Sequence, residues 1–491
     1  MKAIHKNKYA KLWLVILGTP LLILLITYAT VRFMAPPYEV KPAEDLLADG
    51  VAALPLPEGK EETFVPQISI DPNNLDHLIA VAMYGNRFAH RSDHLHRWRS
   101  MDGGKTWSGA RLPMAAYVGQ TAAYGATSIG GDGTEYYIAL ATPSTMIDDL
   151  AALHLGKMAG EIMGMILLGD QKETPEQNTV GVISAVQGDS VSGEFNAPVI
   201  IRSPKFVTPE SPWIAADASK TSPHQGNVYA AWMSYGENTK NGFRSDGAAS
   251  YIAVSNDKGR TYSAPVKIGD DDFLISVSTR PDGTVDLMLP SMTAATVLHR
   301  FSRDGGKTFS KAQLVSGPSS PNTLRGYPSM ATKADGSLLA CWTEGGVETL
   351  TRVKCASEQS GKWSNPTDLV PNIAKSAEMG LPSVAANDAG LWVLAYKSDT
   401  KTEVILYRSI DNGTTFQPYR VLGTRNFGKD EMCLASASDL ECRLSAISRQ
   451  FIPGEHVSLT ATGRRVAAAF VLPRSHDPLG FANTYVRVID A

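Results

Sequence analysis

The sequence predicts an all-β chain folded as a β-propeller of four-stranded antiparallel blades, seven in number, and three observations carry that prediction. A turn pattern, Ser-x-Asp-x-Gly-x-Thr-aromatic, occurs four times in the 491 residues, as SMDGGKTW (100–107), SNDKGRTY (255–262), SRDGGKTF (302–309) and SIDNGTTF (409–416). Each copy lies between two strand-like runs. The aromatic residues Phe309, Trp363 and Phe416 follow one another at roughly fifty-residue spacing, which suits four strands and their loops.

A catalytic loop is rarely built four times in one chain, whereas a turn that closes each unit of a repeat recurs in this way. The residue types fit a turn. Asp102, Asp257, Asp304 and Asp411 can accept bonds from backbone N–H groups two or three residues on, and Gly104, Gly259, Gly306 and Gly413 tolerate positive φ. Trp107, Tyr262, Phe309 and Phe416 can pin each turn by burying a ring.

The clearest unit is 381–423, read as strands Ser383–Ala386, Leu391–Tyr396, Val404–Arg408 and Tyr419–Leu422, with the aspartate turn joining the third to the fourth. The same order places first strands near Gln67, Thr127, Trp213, Leu274, Ser329, Ser383 and Val457. Two units keep relics of the turn, SVSGEF around Gly193 and Phe195 and SEQSGKW around Gly361 and Trp363. The last unit supplies three strands, and GVAALPLP (50–57) is the expected fourth, closing the ring and removing an exposed edge. Long loops leave six or eight blades as the alternatives.

No linker or charge block divides residues 60–491, so 50–491 reads as one propeller. Lys+Arg 46 against Asp+Glu 49 argues against nucleic acid as a partner. Composition changes at the N-terminus. Residues 1–11 carry Lys2, Lys6, Lys8 and Lys11, and Leu12–Val31 is an uncharged apolar stretch of membrane-spanning length, followed by a linker over 32–49. The expectation is a single-pass signal anchor with its lysines in the cytoplasm and the propeller periplasmic or extracellular; a cleaved signal peptide is the rival. Cys341 with Cys355 and Cys433 with Cys442 are expected disulfides in an oxidising compartment, against four buried thiols.

Three features are candidates for function. His90, His94 and His96 crowd with Asp93 into the blade-one stretch YGNRFAHRSDHLHRWRS, expected to be a loop. A borderline metal, a ligand-contacting polar loop and a solvated surface are its three readings, and the spacing matches no zinc signature. Gln67, Glu210, Arg325, Glu378 and Glu455 enter the innermost strands and should ring the central channel, either to bind ligand or to pair with one another. An insertion in blade two, 144–177, is expected to be helical and too apolar between Met158 and Leu168 to stand in water. It reads as a lid, a protein-docking element or a membrane contact. Nothing in the sequence calls for a cofactor.

The four turns resemble Asp boxes, the bacterial neuraminidase repeats of sialidase-like propellers, and the resemblance covers most of 60–491. It implies turns on the rim away from the ligand face, and in active members three arginines, a tyrosine–glutamate nucleophile pair and an aspartate acid/base. The stretch that corresponds to the first arginine motif, TFVPQIS (63–69), holds no arginine. Arg87 and Asp93 match the next arginine and the aspartate in approximate register, Tyr235 and Glu237 are candidates for the nucleophile pair, and Arg244 and Arg325 for further clamps. The expected function is a membrane-anchored propeller presenting a ligand face for carbohydrate or glycoconjugate. A divergent glycoside hydrolase of exo-sialidase type and a non-catalytic envelope scaffold docked through 144–177 are the alternatives.

Overall fold

The structure, a computed structural model, describes residues 47–56, 62–86, 91–114, 120–143, 182–189, 191–201, 208–235, 249–270, 276–291, 296–317, 324–346, 349–428, 457–474 and 481–491. Within them lie 29 strands and no helix. Blade one is β2 (Glu62–Ile70), β3 (Leu78–Asn86), β4 (Arg91–Ser100) and β5 (Ser108–Arg111); blade two is β6 (Gln120–Ile129), β7 (Glu135–Pro143), β8 (Val182–Gly188) and β9 (Val199–Ile201). Blade three is β10 (Thr208–Ala216), β11 (Val228–Tyr235), β12 (Ala249–Ser255) and β13 (Val266–Asp270); blade four is β14 (Ser276–Thr279), β15 (Val285–Ser291), β16 (Thr296–Ser302) and β17 (Gln313–Ser316). Blade five is β18 (Leu324–Thr332), β19 (Leu338–Gly346) and β20 (Thr349–Gln359), with the short β21 (Lys362–Trp363) and β22 (Thr367–Asp368) both paired to β20. Blade six is β23 (Glu378–Asn387), β24 (Gly390–Ser398), β25 (Thr402–Ser409) and β26 (Gln417–Arg425).

Blade seven closes the ring. Its β27 (Ser458–Thr462), β28 (Arg465–Pro473) and β29 (Ala482–Asp490) are joined by β1 (Val51–Ala53), which pairs antiparallel with β29 at Val51↔Arg487 and Ala53↔Tyr485. The expected splice from 50–57 is therefore present, and the blade count is seven. First strands pack in the cyclic order β2, β6, β10, β14, β18, β23, β27 and back to β2. Of the expected first-strand positions, Leu274 lies outside the described residues.

The sequence makes each blade apolar on both faces because both faces are covered by neighbours. In β24, Leu391, Val393 and Ala395 enter the core shared with blade five, while Trp392, Leu394 and Tyr396 enter the core shared with blade seven. The run LWVLAY thus shows no polar alternation, although its side chains alternate between two cores. Among the described residues the hydrophobic interior is accordingly seven clusters, one at each blade junction.

The four aspartate turns join third to fourth strands as expected, and their bonding repeats. The Ser100 hydroxyl donates to Asp102 Oδ1 (2.8 Å) and accepts from the Gly104 amide (2.8 Å), while the Thr106 amide and hydroxyl donate to the two carboxylate oxygens (2.9 and 2.6 Å). Asp304 receives the same set from Ser302 and Thr308. Asp257 and Asp411 are held likewise.

These turns do more than close their own blade. Trp107, Tyr262, Phe309 and Phe416 are half-buried, and each packs into the core between its blade and the preceding one, as do Phe195 and Trp363 from the two relics. Gly306 (φ 84°) leaves no room for a side chain, since a Cβ there would lie 2.9 Å from Val254 Cγ2 of blade three. At Gly104 (φ 86°) it would lie 2.5 Å from Val488 Cγ2 of blade seven.

Cys341 and Cys355 stand directly opposite each other on β19 and β20 and form a disulfide within the core between blades five and six. Cys433, Cys442, the apolar stretch 12–31 and the insertion 144–177 lie outside the described residues. Among the described residues no helix is long and apolar enough to cross a membrane.

All four turn carboxyls sit at about 2. The Thr106 hydroxyl leads the effect at Asp102 and the Ser409 hydroxyl at Asp411; at Asp257 and Asp304 burial pulls upward and the hydroxyl and amide bonds outweigh it. A folded-state value below the ordinary aspartate value near 3.9 contributes stability that is complete above that value and lost as pH falls toward 2. Asp304→Asn is therefore expected to lower the unfolding midpoint at neutral pH and to flatten its decline between about pH 4 and pH 2, read by urea titrations across that range.

Candidate functional site

Antiparallel order divides the propeller into two faces. A lower face carries the turns between first and second and between third and fourth strands, including all four aspartate turns. An upper face carries the starts of the first and third strands and the ends of the second and fourth.

Just below the upper face the inner strands share a defect. The register of the first strand slips between Phe64 and Gln67, Ala123 and Ala126, Glu210 and Trp213, Gly326 and Ser329, and Gly380 and Ser383. The slipped dipeptides are Val65-Pro66, Tyr124-Gly125, Ser211-Pro212, Tyr327-Pro328 and Leu381-Pro382. A proline has no amide to give to the ladder, so a bulge is where a strand admits one. Val65 (φ 55°), Tyr124 (50°), Ser211 (46°) and Leu381 (53°) all adopt the left-handed region, which costs a side-chain-bearing residue on the order of 1–3 kcal/mol. Burial of Val65 and Leu381 and the bond from the Leu381 amide to Thr343 Oγ1 (2.9 Å) hold the conformation in place.

Below the bulges, hydroxyls tie inner strands together across blade junctions. Ser329, Ser383 and Ser458 accept the amides of Val384, Leu459 and Ile68 in the next blade (3.0, 2.9 and 3.0 Å). Ser128 accepts the Ala216 amide (3.0 Å), and Ser69 donates to the Thr127 carbonyl (3.0 Å). Inner strands present one unpaired edge to the channel, and these side chains satisfy part of it.

The sequence-predicted residues distribute over this frame as follows. Glu378 begins β23 opposite Ser398 and is half-buried. Arg325 stands opposite Glu344 at the start of β18. Glu210 lies at the blade-three bulge, and Tyr235, the last residue of β11, pairs with Thr208 two positions away. Tyr235 and Glu210 therefore lie at the same end of the paired strands β10 and β11. Asp93 occupies a register slip of β4 between the pairs Tyr84↔His94 and Gly85↔Ser92. All five positions belong to the upper face, on blades one, three, five and six. Arg87, His90, Glu237, Arg244 and Glu455 lie outside the described residues.

Two expectations are corrected. The stretch Arg91–His96 is part of strand β4, not a loop, because it pairs with β3 up to Asn86↔Arg91. His94, His96 and Trp98 consequently line one side of the strand, with Tyr84 4.7 Å from His94 between ring centroids and Trp98 4.7 Å from His96. His96 is 5% exposed, and burial, with the charges of His94 and Arg97, lowers its pKa to about 4. It is a neutral ring packed toward blade seven, while His94, half-buried, stays nearer the surface. The second correction concerns Gln67, which follows the bulge instead of opening the strand. It is buried and accepts a bond from the Ser458 hydroxyl (3.3 Å), so it ties blade one to blade seven. Among the described residues no three His, Cys, Asp or Glu side chains group as a metal site.

Sequence reasoning missed the junction between blades seven and one. Glu62 is fully buried and accepts the Ala482 amide (3.0 Å), and Thr63 Oγ1 accepts the Thr484 amide (2.7 Å) while donating to Asn483 (3.2 Å). It also missed the bulges, whose signal was the recurrence of VPQ, SPW, YPS and LPS at one place in the first strands of blades one, three, five and six.

No family model and no curated protein matches the chain. Among solved structures it is similar to the Hadza microbial sialidase Hz136 (TM-score 0.45, 10% identity, 87% of this chain and 66% of that one). It is also similar to a protein of unknown function from Dyadobacter fermentans (0.45, 11%, 77% and 98%) and to an α-L-arabinanase from Penicillium chrysogenum (0.42, 11%, 91% and 99%). The chain spans just under two thirds of the sialidase's length. At these identities and scores, no substrate or activity carries over to this chain.

Ser211 tests the strain directly, because its side chain is only half-buried and glycine adopts its φ freely. Ser211→Gly is expected to leave stability unchanged or raise it by up to about 1 kcal/mol, whereas glycine within a relaxed strand lowers it. Urea unfolding of the two proteins reads the difference.

Proposed function

We propose that the protein is an extracytoplasmic, membrane-anchored β-propeller that binds a carbohydrate or glycoconjugate on its upper face. The observation that carries this reading is the ring of left-handed bulges in blades one, two, three and six, all at one level beneath that face. Backbone strain repeated at one level is retained where surrounding structure and function require it. Around that level the acidic residues Asp93, Glu210 and Glu378 and the basic Arg325 occupy strand positions toward the upper face. Such groups suit hydroxyl-rich and anionic sugars, which are recognised by convergent hydrogen bonds and by guanidinium forks. The resemblance of the four turns to Asp boxes supports the same ligand class and the same face, since those turns lie on the opposite side.

The Cys341–Cys355 disulfide supports an oxidising compartment. With the lysine-flanked apolar stretch 12–31 it favours a single-pass anchor and an external propeller. A glycoside hydrolase is the second reading, favoured by the position of Tyr235 and Glu210 at the same end of the paired strands β10 and β11. In that reading Tyr235 is the nucleophile, Glu210 or Glu237 its base, and Asp93 the acid/base.

Titration of the full-length protein against sialylated, arabinose-containing and neutral oligosaccharides tests the proposal. Saturable binding is expected, weakened about tenfold or more by Arg325→Ala with the unfolding midpoint unchanged. Release of a fluorogenic aglycone that Asp93→Ala abolishes would establish the hydrolase. Absence of binding to every glycan at millimolar concentration would refute the ligand class.

A further inference from the structure

Blades two and five keep only relics of the aspartate turn, and charged side chains gather at the two junctions those relics serve. Between blades four and five, Arg280 donates to both oxygens of Asp286 (2.6 and 2.8 Å) and to the Gly336 carbonyl (2.9 Å), and lies 3.8 Å from Glu358. Between blades one and two the group is buried more deeply and has a histidine at its centre. His77, 1% exposed and immediately before β3, places Nδ1 3.1 Å from Asp71 Oδ2 and Nε2 3.0 Å from Glu135 Oε1. Glu135, the first residue of β7, is fully buried; its Oε2 accepts the Tyr137 hydroxyl (2.5 Å) and its Oε1 lies 2.9 Å from Arg99 Nε.

The remaining charged neighbours come from two further elements. On β4, Arg97 donates to the Gly193 carbonyl (2.8 Å) and lies over the Phe195 ring (4.8 Å). In the turn after β8, Asp189 accepts the amides of Val191 and Ser192 and faces Arg99. A carboxylate oxygen only accepts hydrogen bonds. With both ring nitrogens of His77 against such oxygens, the imidazolium satisfies both contacts, and the neutral ring sets a nitrogen lone pair against a carboxylate.

We propose that the His77 imidazolium is an alkali-sensitive latch that fastens blade one to blade two in place of the intact turn. Burial alone would lower the pKa of this histidine, but the bonds and charges of Asp71 and Glu135 outweigh it and raise it above the ordinary value. A raised folded-state value means the latch is fully closed below the unfolded histidine value near 6.5 and opens as pH rises through the folded value. The carboxylate of Glu135 moves the opposite way: burial opposes ionisation, yet the His77 and Tyr137 bonds and the charge of Arg97 hold it below the ordinary range. The latch's acceptor therefore stays charged throughout.

Two measurements on the full-length protein test the latch. Nitrogen-15 spectra of the histidine rings, followed through a pH titration, are expected to show both His77 nitrogens protonated at pH 6 and the second ring proton lost at a higher pH than in an ordinary histidine; one unprotonated nitrogen at pH 6, or loss at or below the ordinary value near 6.5, overturns the proposal. Amide exchange over residues 71–78 and 129–137, corrected for the intrinsic pH dependence, is expected to rise by a factor approaching ten per pH unit above the His77 value. In His77→Gln it should be faster at pH 6 and flat with pH. A flat profile in the unmodified protein overturns the latch, and the nitrogen spectra decide the matter even if the variant does not fold.

Discussion

Every blade of this protein is a thin sheet with two apolar faces, so no blade is stable unless a neighbour covers each side. That constraint places the hydrophobic interior of the described residues at the seven junctions. It also explains why the ring must close. Without β1 and the contacts of β2 with β27 and β28, blades one and seven would each expose a core face to water. The aspartate turns follow from the same constraint: an aromatic ring and a bare glycine from one blade seat against the side of the blade before it.

The lower face carries contacts that hold the junctions together. The lower face is fastened at successive junctions by turn glycines, by Arg465 of blade seven bonded to Leu75 and Asp76 of blade one, and by Lys258 of blade three paired with Asp132 of blade two. Individual exposed ion pairs such as Lys258–Asp132 contribute little, and the buried packing beneath them dominates. A fastened lower face leaves strand ends on the upper face held from below, which is the arrangement the proposed binding face requires.

Much of the fold was legible in the sequence because its signals are local. Ser100, Asp102, Gly104 and Thr106 form one turn within eight residues, and the repeat of that turn gave the period and hence the architecture. The relics at Gly193 and Gly361 and the splice from 50–57 followed from counting strands. The direction in which Trp107 or Phe309 packs was not legible, since it depends on another blade, the one some fifty residues earlier for Phe309 and the last of the sequence for Trp107. The candidate site was legible only as positions. Glu210, Tyr235, Arg325 and Glu378 fall at strand ends of one face because strand order dictates it, whereas the fate of His96 was misread. Three histidines close together look like a polar loop, yet alternation along β4 turns His96 toward Trp98 and buries it. The X-Pro bulges were visible as text, but their common level emerged only from the register of the ladders.

The central claim is that the repeated turns belong energetically to the junctions, and a double-mutant cycle on Gly306 and Val254 tests it most directly. Gly306→Ala alone should destabilise the protein by about 2 kcal/mol or more, from its positive φ and from crowding Val254 across the junction. In a Val254→Ala background the crowding is relieved, and the cost of Gly306→Ala should fall by about 1 kcal/mol, a coupling well above the additivity error. An unchanged cost in that background would mean that the glycine serves only its own turn, which contradicts the account.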